Sequence, residues 1–349
     1  MEDRTTTTTS ASASSSTCSR HSYTAFAPPF LDMAVFGDSF SDVGNIHNAS
    51  NGTQPGVWSY DGRYSDGRVW EEYIIQFFKL PYALEPSSEG GSNYAWGGAT
   101  TDNDYIDAYS TYLNANVPSV NEQVTEYLMN ENELSPQRLH VVYIGYNDYW
   151  WYVYRNYTTS DGQDLNFTNV YTNIATRVVD EIDRMYNNGA RKFLVGNVPN
   201  MSTWAEASLQ TQDVLDSYDV LVSGHNKVLS RLLNDFESSH AGATVYEQDN
   251  FRAFECINEQ KNHLGYLNVQ DPCYPNQETS CGNIFSYKFW DYYHPSTHSH
   301  HVSSTFAIQS IYDKEMSMNE SLSPSSSSGI AALALPIYIA VSLLHYIFV

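Results

Sequence analysis

The sequence predicts an α/β fold: a three-layer α/β/α sandwich around a central parallel sheet. Three observations carry this reading. Short, nearly continuous apolar runs recur along the chain, and stretches with apolar residues at helical spacing alternate with them. Those stretches are long enough to cross back over a sheet, so the strands run parallel and are buried on both faces.

The elements follow in order. "MAVFG" (33–37) is an apolar run that ends in glycine and reads as the first strand. "RVWEEYIIQFFK" (68–79) has helical spacing, and "SNYAWGGA" (92–99) reads as a short strand ending in glycines. "VPSVNEQVTEYLMNE" (117–131) is helical, with Pro118 near its first turn, where a missing N–H costs nothing. "LHVVYIGYND" (139–148) is a strand, and "NVYTNIATRVVDEIDRMYNNGA" (169–190) is a long amphipathic helix closed by Gly189. "RKFLVGNVPN" (191–200) is the next strand, "DVLVSGHNKVLSRLLNDFES" (219–238) a helix, "ATVYEQD" (243–249) a strand, and a last helix starts near "PSTHSHHVSSTFAIQSIY" (295–312). Reactive groups in such sheets gather at the carboxyl ends of the strands. Ser39, Gly97, Gly98, Asn147 and Pro199 all fall there.

The 349-residue chain is organised as a low-complexity Thr/Ser tail (1–28), one domain (29–315), a Ser-rich spacer (316–329) and a hydrophobic C-terminal stretch (330–349). A net charge of −23 with only 17 Lys plus Arg excludes a nucleic-acid partner, since nothing here neutralises a row of phosphates. The 28 tyrosines suit amphipathic surfaces that stack on sugars or lie beside lipid; a compositional habit of the source explains them equally well. Cys273 and Cys281 flank a polar loop and read as a disulfide staple of an oxidising compartment. Cys256 reads as a buried free thiol, and Cys18 lies in the tail.

The two ends disagree. A Ser-rich spacer followed by an apolar run, Ile330 to Val349, has the layout of a GPI-attachment signal, or of a retained tail anchor. Either places the protein at a membrane, and GPI attachment places it at the cell surface. The first residues, "MEDRTTTTTSASASSSTCSR", carry no apolar core of a signal peptide. Either a start site upstream of this one supplies the missing signal, which is the preferred reading, or the protein is a cytosolic tail-anchored enzyme. Six N-x-[ST] sequons, at Asn48, Asn51, Asn156, Asn166, Asn200 and Asn319, occur at a density this Asn/Ser/Thr-rich composition produces by chance.

Nucleophilic serine chemistry needs a base, a carboxylate that orients it and donors for the oxyanion. "WDYYHPST" offers Asp291 and His294 three residues apart, within reach of one loop. The blocks "FGDSFSDVGN", "NYAWGGAT", "YIGYNDYW" and "FWDYYHPST" occur in that order from residues 36, 93, 143 and 289. Together with "GARKFLVGNVPN", "HNKVLSRLL" and the late cysteine pair, they resemble the GDSL family of SGNH hydrolases, from Met33 to about Ile311. The resemblance implies a flavodoxin-like sheet and ester hydrolysis through an acyl-enzyme. It implies Ser39 as nucleophile, His294 as base and Asp291 as its orienting carboxylate. The oxyanion donors would be the N–H of Ser39, the side chain of Asn147 and the N–H of Gly97 or Gly98, with Gly98 preferred. Phe40 stands where the family often has leucine. No metal or organic cofactor enters that chemistry.

Within the family, "FWDYYHPSTHSHH" and "NYAWGGATTD" look closer to the fungal acetylesterases of acetylated sugars than to the lipases and lysophospholipases. An inactive, surface-anchored binding protein on the same scaffold is the reading from a different class. Asp38, Asp42 and Asp148 read as braces of turns rather than acid/base groups. His294, His298, His300 and His301 invite a metal reading, but no third ligand type accompanies them. "YWWYVYRNY" (149–157) forms either an aromatic wall for substrate or a packed subdomain.

Overall fold

The computed structural model describes residues 27–322, except 111–112, 132, 161, 163–165 and 277–278. The N-terminal tail through residue 26 with Cys18, the end of the spacer and the 330–349 stretch lie outside the described residues. Strand β1 (Asp32–Gly37) is followed by the short α1 (Asn45–Ala49) and by α2 (Trp70–Phe78). A small hairpin, β2 (Tyr109–Ser110) and β3 (Ala115–Asn116), precedes α3 (Val120–Asn130). Next come β4 (Arg138–Tyr143), α4 (Tyr146–Tyr154), α5 (Phe167–Asn187), β5 (Lys192–Gly196) and α6 (Gln212–Ser239). Strand β6 (Thr244–Gln248) leads to α7 (Asn250–Glu259) and α8 (Lys261–Leu264). Strands β7 (Asn268–Pro272) and β8 (Tyr287–Phe289) pair with each other, and α9 runs from Thr297 to Leu322.

The main sheet is parallel, in the order β1-β4-β5-β6, and its register aligns Gly37, Tyr143, Gly196 and Gln248 at one edge. Successive side chains alternate between faces, which produces the three layers. Met33, Val35, Leu139, Val141, Leu194 and Tyr246 pack toward α2, α7 and α9. Ala34, Phe36, Val142, Phe193, Val195 and Val245 pack toward α3, α5 and the later turns of α6. Burying each large aliphatic or aromatic side chain contributes roughly 1.5–3 kcal/mol. The helix starts are capped as their residues suggest. Ser119 and Glu122 form a capping box on α3, and the Asn166 side chain accepts the Asn169 N–H at the start of α5.

Several expectations need correction. "SNYAWGGA" is not a regular strand. It runs along β1, with Val35 N–H donating to Ser92, Tyr94 N–H to Val35 and Trp96 N–H to Gly37. On its other side the backbone pairing is a single bridge, Asn93 N–H donating to Glu85 and its carbonyl accepting Ser87 N–H, and the side-chain amide of Asn45 donates to the carbonyls of Asn93 and Ala95. The strand expected over 139–148 stops at Tyr143, because the chain turns at Gly145 (φ +123°) into α4. Helix α6 starts seven residues earlier than its apolar pattern suggests, and α9 continues to Leu322, into the stretch assigned to the spacer. Cys273 and Cys281 form a disulfide. Cys256 is also disulfide-bonded, so it is not the free thiol its surroundings suggest.

Candidate active site

Ser39 sits two residues past the end of β1, in a turn that its neighbours hold closed. The carbonyl of Asp38 accepts the N–H groups of Ser41 and Asp42, and the Asp38 carboxylate accepts that of Phe40. Asp42 accepts four backbone N–H groups, those of Gly44, Asn45, Ile46 and Gly97. Both aspartates are buried and brace the turn. Burial raises both pKa values, that of Asp38 to about 7, against the pull of the N–H bonds.

Asp291 and His294 come from the loop after β8. Its ends are tied where Trp290 N–H donates to the His294 carbonyl, at 2.8 Å. Inside the loop, the Asp291 carboxylate accepts the N–H groups of Tyr293 and His294 at 2.8 and 2.7 Å. It also meets His294 Nδ1, at 2.8 and 2.9 Å from its two oxygens. His294 Nε2 lies 2.9 Å from Ser39 Oγ. A carboxylate only accepts, so Nδ1 carries the proton and the Nε2 lone pair faces the serine hydroxyl. Residues 255 positions apart thus form one hydrogen-bonded relay.

The two glycines separate clearly. Gly97 donates its N–H to Asp42 at 2.8 Å, and a Cβ on it would sit 2.4 Å from the Tyr64 ring. Gly98 takes a left-handed conformation (φ +88°). Among the described residues, the N–H groups of Gly98 and Ser39 have no acceptor. Asn147, at the second position of α4, donates from Nδ2 to the Ala99 carbonyl at 2.9 Å, with Asp38 Oδ2 at 3.4 Å. This orients its amide nitrogen, not its oxygen, toward the block that holds Gly98. Asp148 secures the same block by accepting the N–H and hydroxyl of Thr101, and burial raises its pKa to about 7.

Some residues at the site carried no motif. The ring of Tyr64 lies 4.7 Å from that of His294. The segment around it is fastened to the histidine loop: Ser65 donates to the Pro295 carbonyl, and Thr297 N–H to Asp66. Beneath the nucleophile turn, the buried amide of Gln123 accepts the N–H of Gly37 and donates to its carbonyl, both at 2.9 Å. Gln123 had a readable signal, since it interrupts the apolar face of Val120, Val124 and Tyr127; Tyr64 had none. The remaining histidines go elsewhere: His298 stacks between Tyr266 and Phe285, His300 is buried, and His301 lies against Tyr73.

The sequence 149–157 divides between its two readings. Tyr149 and Tyr152 are fully buried. Trp150 stacks on the exposed Tyr154 and meets Tyr293 edge-on, next to His294. One face of α4 is therefore core, and the other is an aromatic surface beside the relay.

The family model of GDSL-like lipases and acylhydrolases matches residues 33–304. The chain belongs to this family. A thermolabile hemolysin of Vibrio parahaemolyticus is 25% identical over 298 residues, which are 79% of this chain and 63% of that protein. A phosphatidylcholine-sterol acyltransferase of Aeromonas hydrophila is 24% identical over 248 residues, 71% of this chain and 66% of that one. The chain thus spans less than two thirds of the length of either relative. Among solved structures, an acetyl xylan esterase variant of Geobacillus stearothermophilus shares 13% identity, with a TM-score of 0.43 over 80% of this chain and 94% of that one. So loose an overlap does not discriminate a sugar ester from a lipid ester.

Proposed function

We propose that this GDSL family member hydrolyses carboxylic esters through an acyl-enzyme on Ser39, and that its substrates are short-chain, chiefly acetyl, esters of carbohydrates. The observation that carries the hydrolysis is the unbroken relay from Asp291 through His294 to Ser39. In this reading, His294 takes the Ser39 proton as Oγ attacks the carbonyl carbon, and Asp291 stabilises the imidazolium. The oxyanion is held by the N–H groups of Ser39 and Gly98 and by Asn147 Nδ2; Gly97 is left out because Asp42 already holds its N–H. His294 then protonates the leaving alcohol, and water, activated by the same histidine, releases the acid. The inactive-scaffold reading fits less well, because Ser39, Asn147, Asp291 and His294 are all present.

The sugar-ester class is supported by the aromatic surroundings of His294: Phe40, Tyr64, Trp290 and Tyr293. Lipid esters are the second reading, favoured by the name of the Aeromonas relative. Assaying purified protein and Ser39→Ala against p-nitrophenyl esters of increasing chain length tests both parts. Equal rates for the two proteins contradict the mechanism, and a preference for long chains contradicts the acetyl class. We also infer that residues 330–349 hold the protein at a membrane, through GPI or as a retained anchor. Release by a phosphatidylinositol-specific phospholipase supports GPI, whereas full solubility without treatment contradicts membrane attachment.

A further inference from the structure

A second aromatic feature lies against the loop that carries Asp291 and His294. Trp58, in the loop before α2, stacks on Tyr274 at 5.3 Å and 16°. Tyr274 stands inside the loop closed by Cys273 and Cys281, and its N–H donates to the Trp290 carbonyl at 2.8 Å. Cys273 N–H likewise donates to Phe289. The disulfide loop is thus laid against the residues that lead directly into Asp291. Between the ring pair and the histidine loop lies a cavity of about 180 Å³, lined by Pro55, Trp58, Tyr274, Trp290, Asp291 and Tyr293. Trp58 keeps 43% of its surface exposed there.

The chemistry of the relay assigns a side to this cavity. The leaving alcohol must lie where His294 can protonate it, whereas the carbonyl oxygen must face Ser39 N–H, Gly98 and Asn147. The cavity adjoins that histidine: two of its walls, the rings of Trp290 and Tyr293, lie 6.0 and 6.3 Å from the His294 imidazole. It is smaller than the ~300 Å³ lower bound typical of pockets for drug-sized ligands. Flat aromatic faces, with the Asn276 amide among the lining groups, suit a ring that is apolar on one face and hydroxylated at its edge.

We propose that this cavity is the subsite for the alcohol half of the ester, and that it takes a single sugar ring laid against the Trp58–Tyr274 pair. The assignment rests on the carbohydrate-ester reading and makes it more specific. The disulfide would then have a positioning role, since it sets Tyr274 against both Trp58 and Trp290.

The test compares an acetylated methyl pyranoside with ethyl acetate, which has no ring to place. For Trp58→Ala and Tyr274→Ala, the ratio of kcat/KM between the two substrates should fall at least about tenfold, mainly through KM, as expected for losing one stacked ring. Inhibition by the free methyl pyranoside should weaken in parallel. Trp58→Phe, which keeps an aromatic face, should recover much of the ratio and guards against a misfolded alanine variant. A ratio within twofold of wild type, in a wild type that does hydrolyse the sugar acetate, overturns the subsite alone. A wild type that cleaves ethyl acetate but not the acetylated sugar overturns the carbohydrate reading and the subsite with it. A loss confined to short-chain phospholipid esters reassigns the cavity to lipid and also overturns it.

Discussion

Asp42 accepts the N–H of Gly97 at 2.8 Å, so the turn that carries Ser39 and the loop that carries Gly98 are clamped to each other through one buried carboxylate. The clamp occupies the Gly97 N–H, which leaves that of Gly98 as the oxyanion donor in the proposed mechanism. Asp42→Ala should therefore lower kcat by about 100-fold, the cost of a misplacement near one ångström, with a smaller change in KM. Steady-state kinetics on p-nitrophenyl acetate checks this; an unchanged kcat means that the clamp does not position the donor.

The Ala99 carbonyl holds the amide nitrogen of Asn147 next to the loop of Gly98, and the proposed mechanism uses that nitrogen as an oxyanion donor. Asn147→Ala should lower kcat about 100- to 1000-fold while leaving KM nearly constant, since the interaction strengthens only as charge develops on the oxygen. A loss expressed in KM alone would place Asn147 in ground-state binding instead.

Gln123 pairs both the N–H and the carbonyl of Gly37, inside the core and two residues before Ser39. Gln123→Leu keeps the bulk but leaves the buried Gly37 N–H unpaired, worth about 1–3 kcal/mol, whereas the Gly37 carbonyl still accepts the Trp96 N–H. Urea unfolding should show a loss of about 1–3 kcal/mol. A variant as stable as the parent would mean that water or a shifted backbone satisfies Gly37.

Lys288 is fully buried on β8 among the rings of Trp204, Phe254 and Phe289, with Asn258 accepting its ammonium at 3.0 Å. Burial lowers its pKa to about 7, from an ordinary 10.5. A base with a depressed folded pKa contributes stability that is present above its unfolded pKa and is lost as pH falls toward the folded value. Between pH 10 and 7 the wild type should therefore lose stability relative to Lys288→Met, by about 1.4 kcal/mol per pH unit. Denaturant midpoints at pH 7, 8.5 and 10 measure the difference; a constant gap would show that Lys288 titrates normally.

The layers were legible because strands buried on both faces need apolar runs, which β1 and β5 have and which β4 has but for His140, whereas β6 keeps only Val245 and Tyr246. Ser39, Asp291 and His294 were legible as a set because four blocks occur in the order and spacing of the family they resemble, whereas no single block marks its residue. The choice between Gly97 and Gly98 was not legible, since it depends on where the Asp42 carboxylate points, 55 residues away in sequence. Tyr64 was hidden for a similar reason: its role comes from a loop folded onto the histidine, and one tyrosine among 28 carries no pattern. The segment 92–99 misled because its pairing with β1 is real, while its outer edge has only one backbone bridge, at Asn93, and the side chain of Asn45 takes the Asn93 and Ala95 carbonyls.

The central claim is that Ser39 is the nucleophile and His294 its base, and covalent labelling tests it most directly. Treated with a fluorophosphonate, the wild-type protein should gain one phosphonyl adduct by mass spectrometry, mapped to the peptide containing Ser39. His294→Gln should react at least about 100-fold more slowly, and Ser39→Ala not at all. An adduct on any other residue, or equal labelling of Ser39→Ala, would contradict the account.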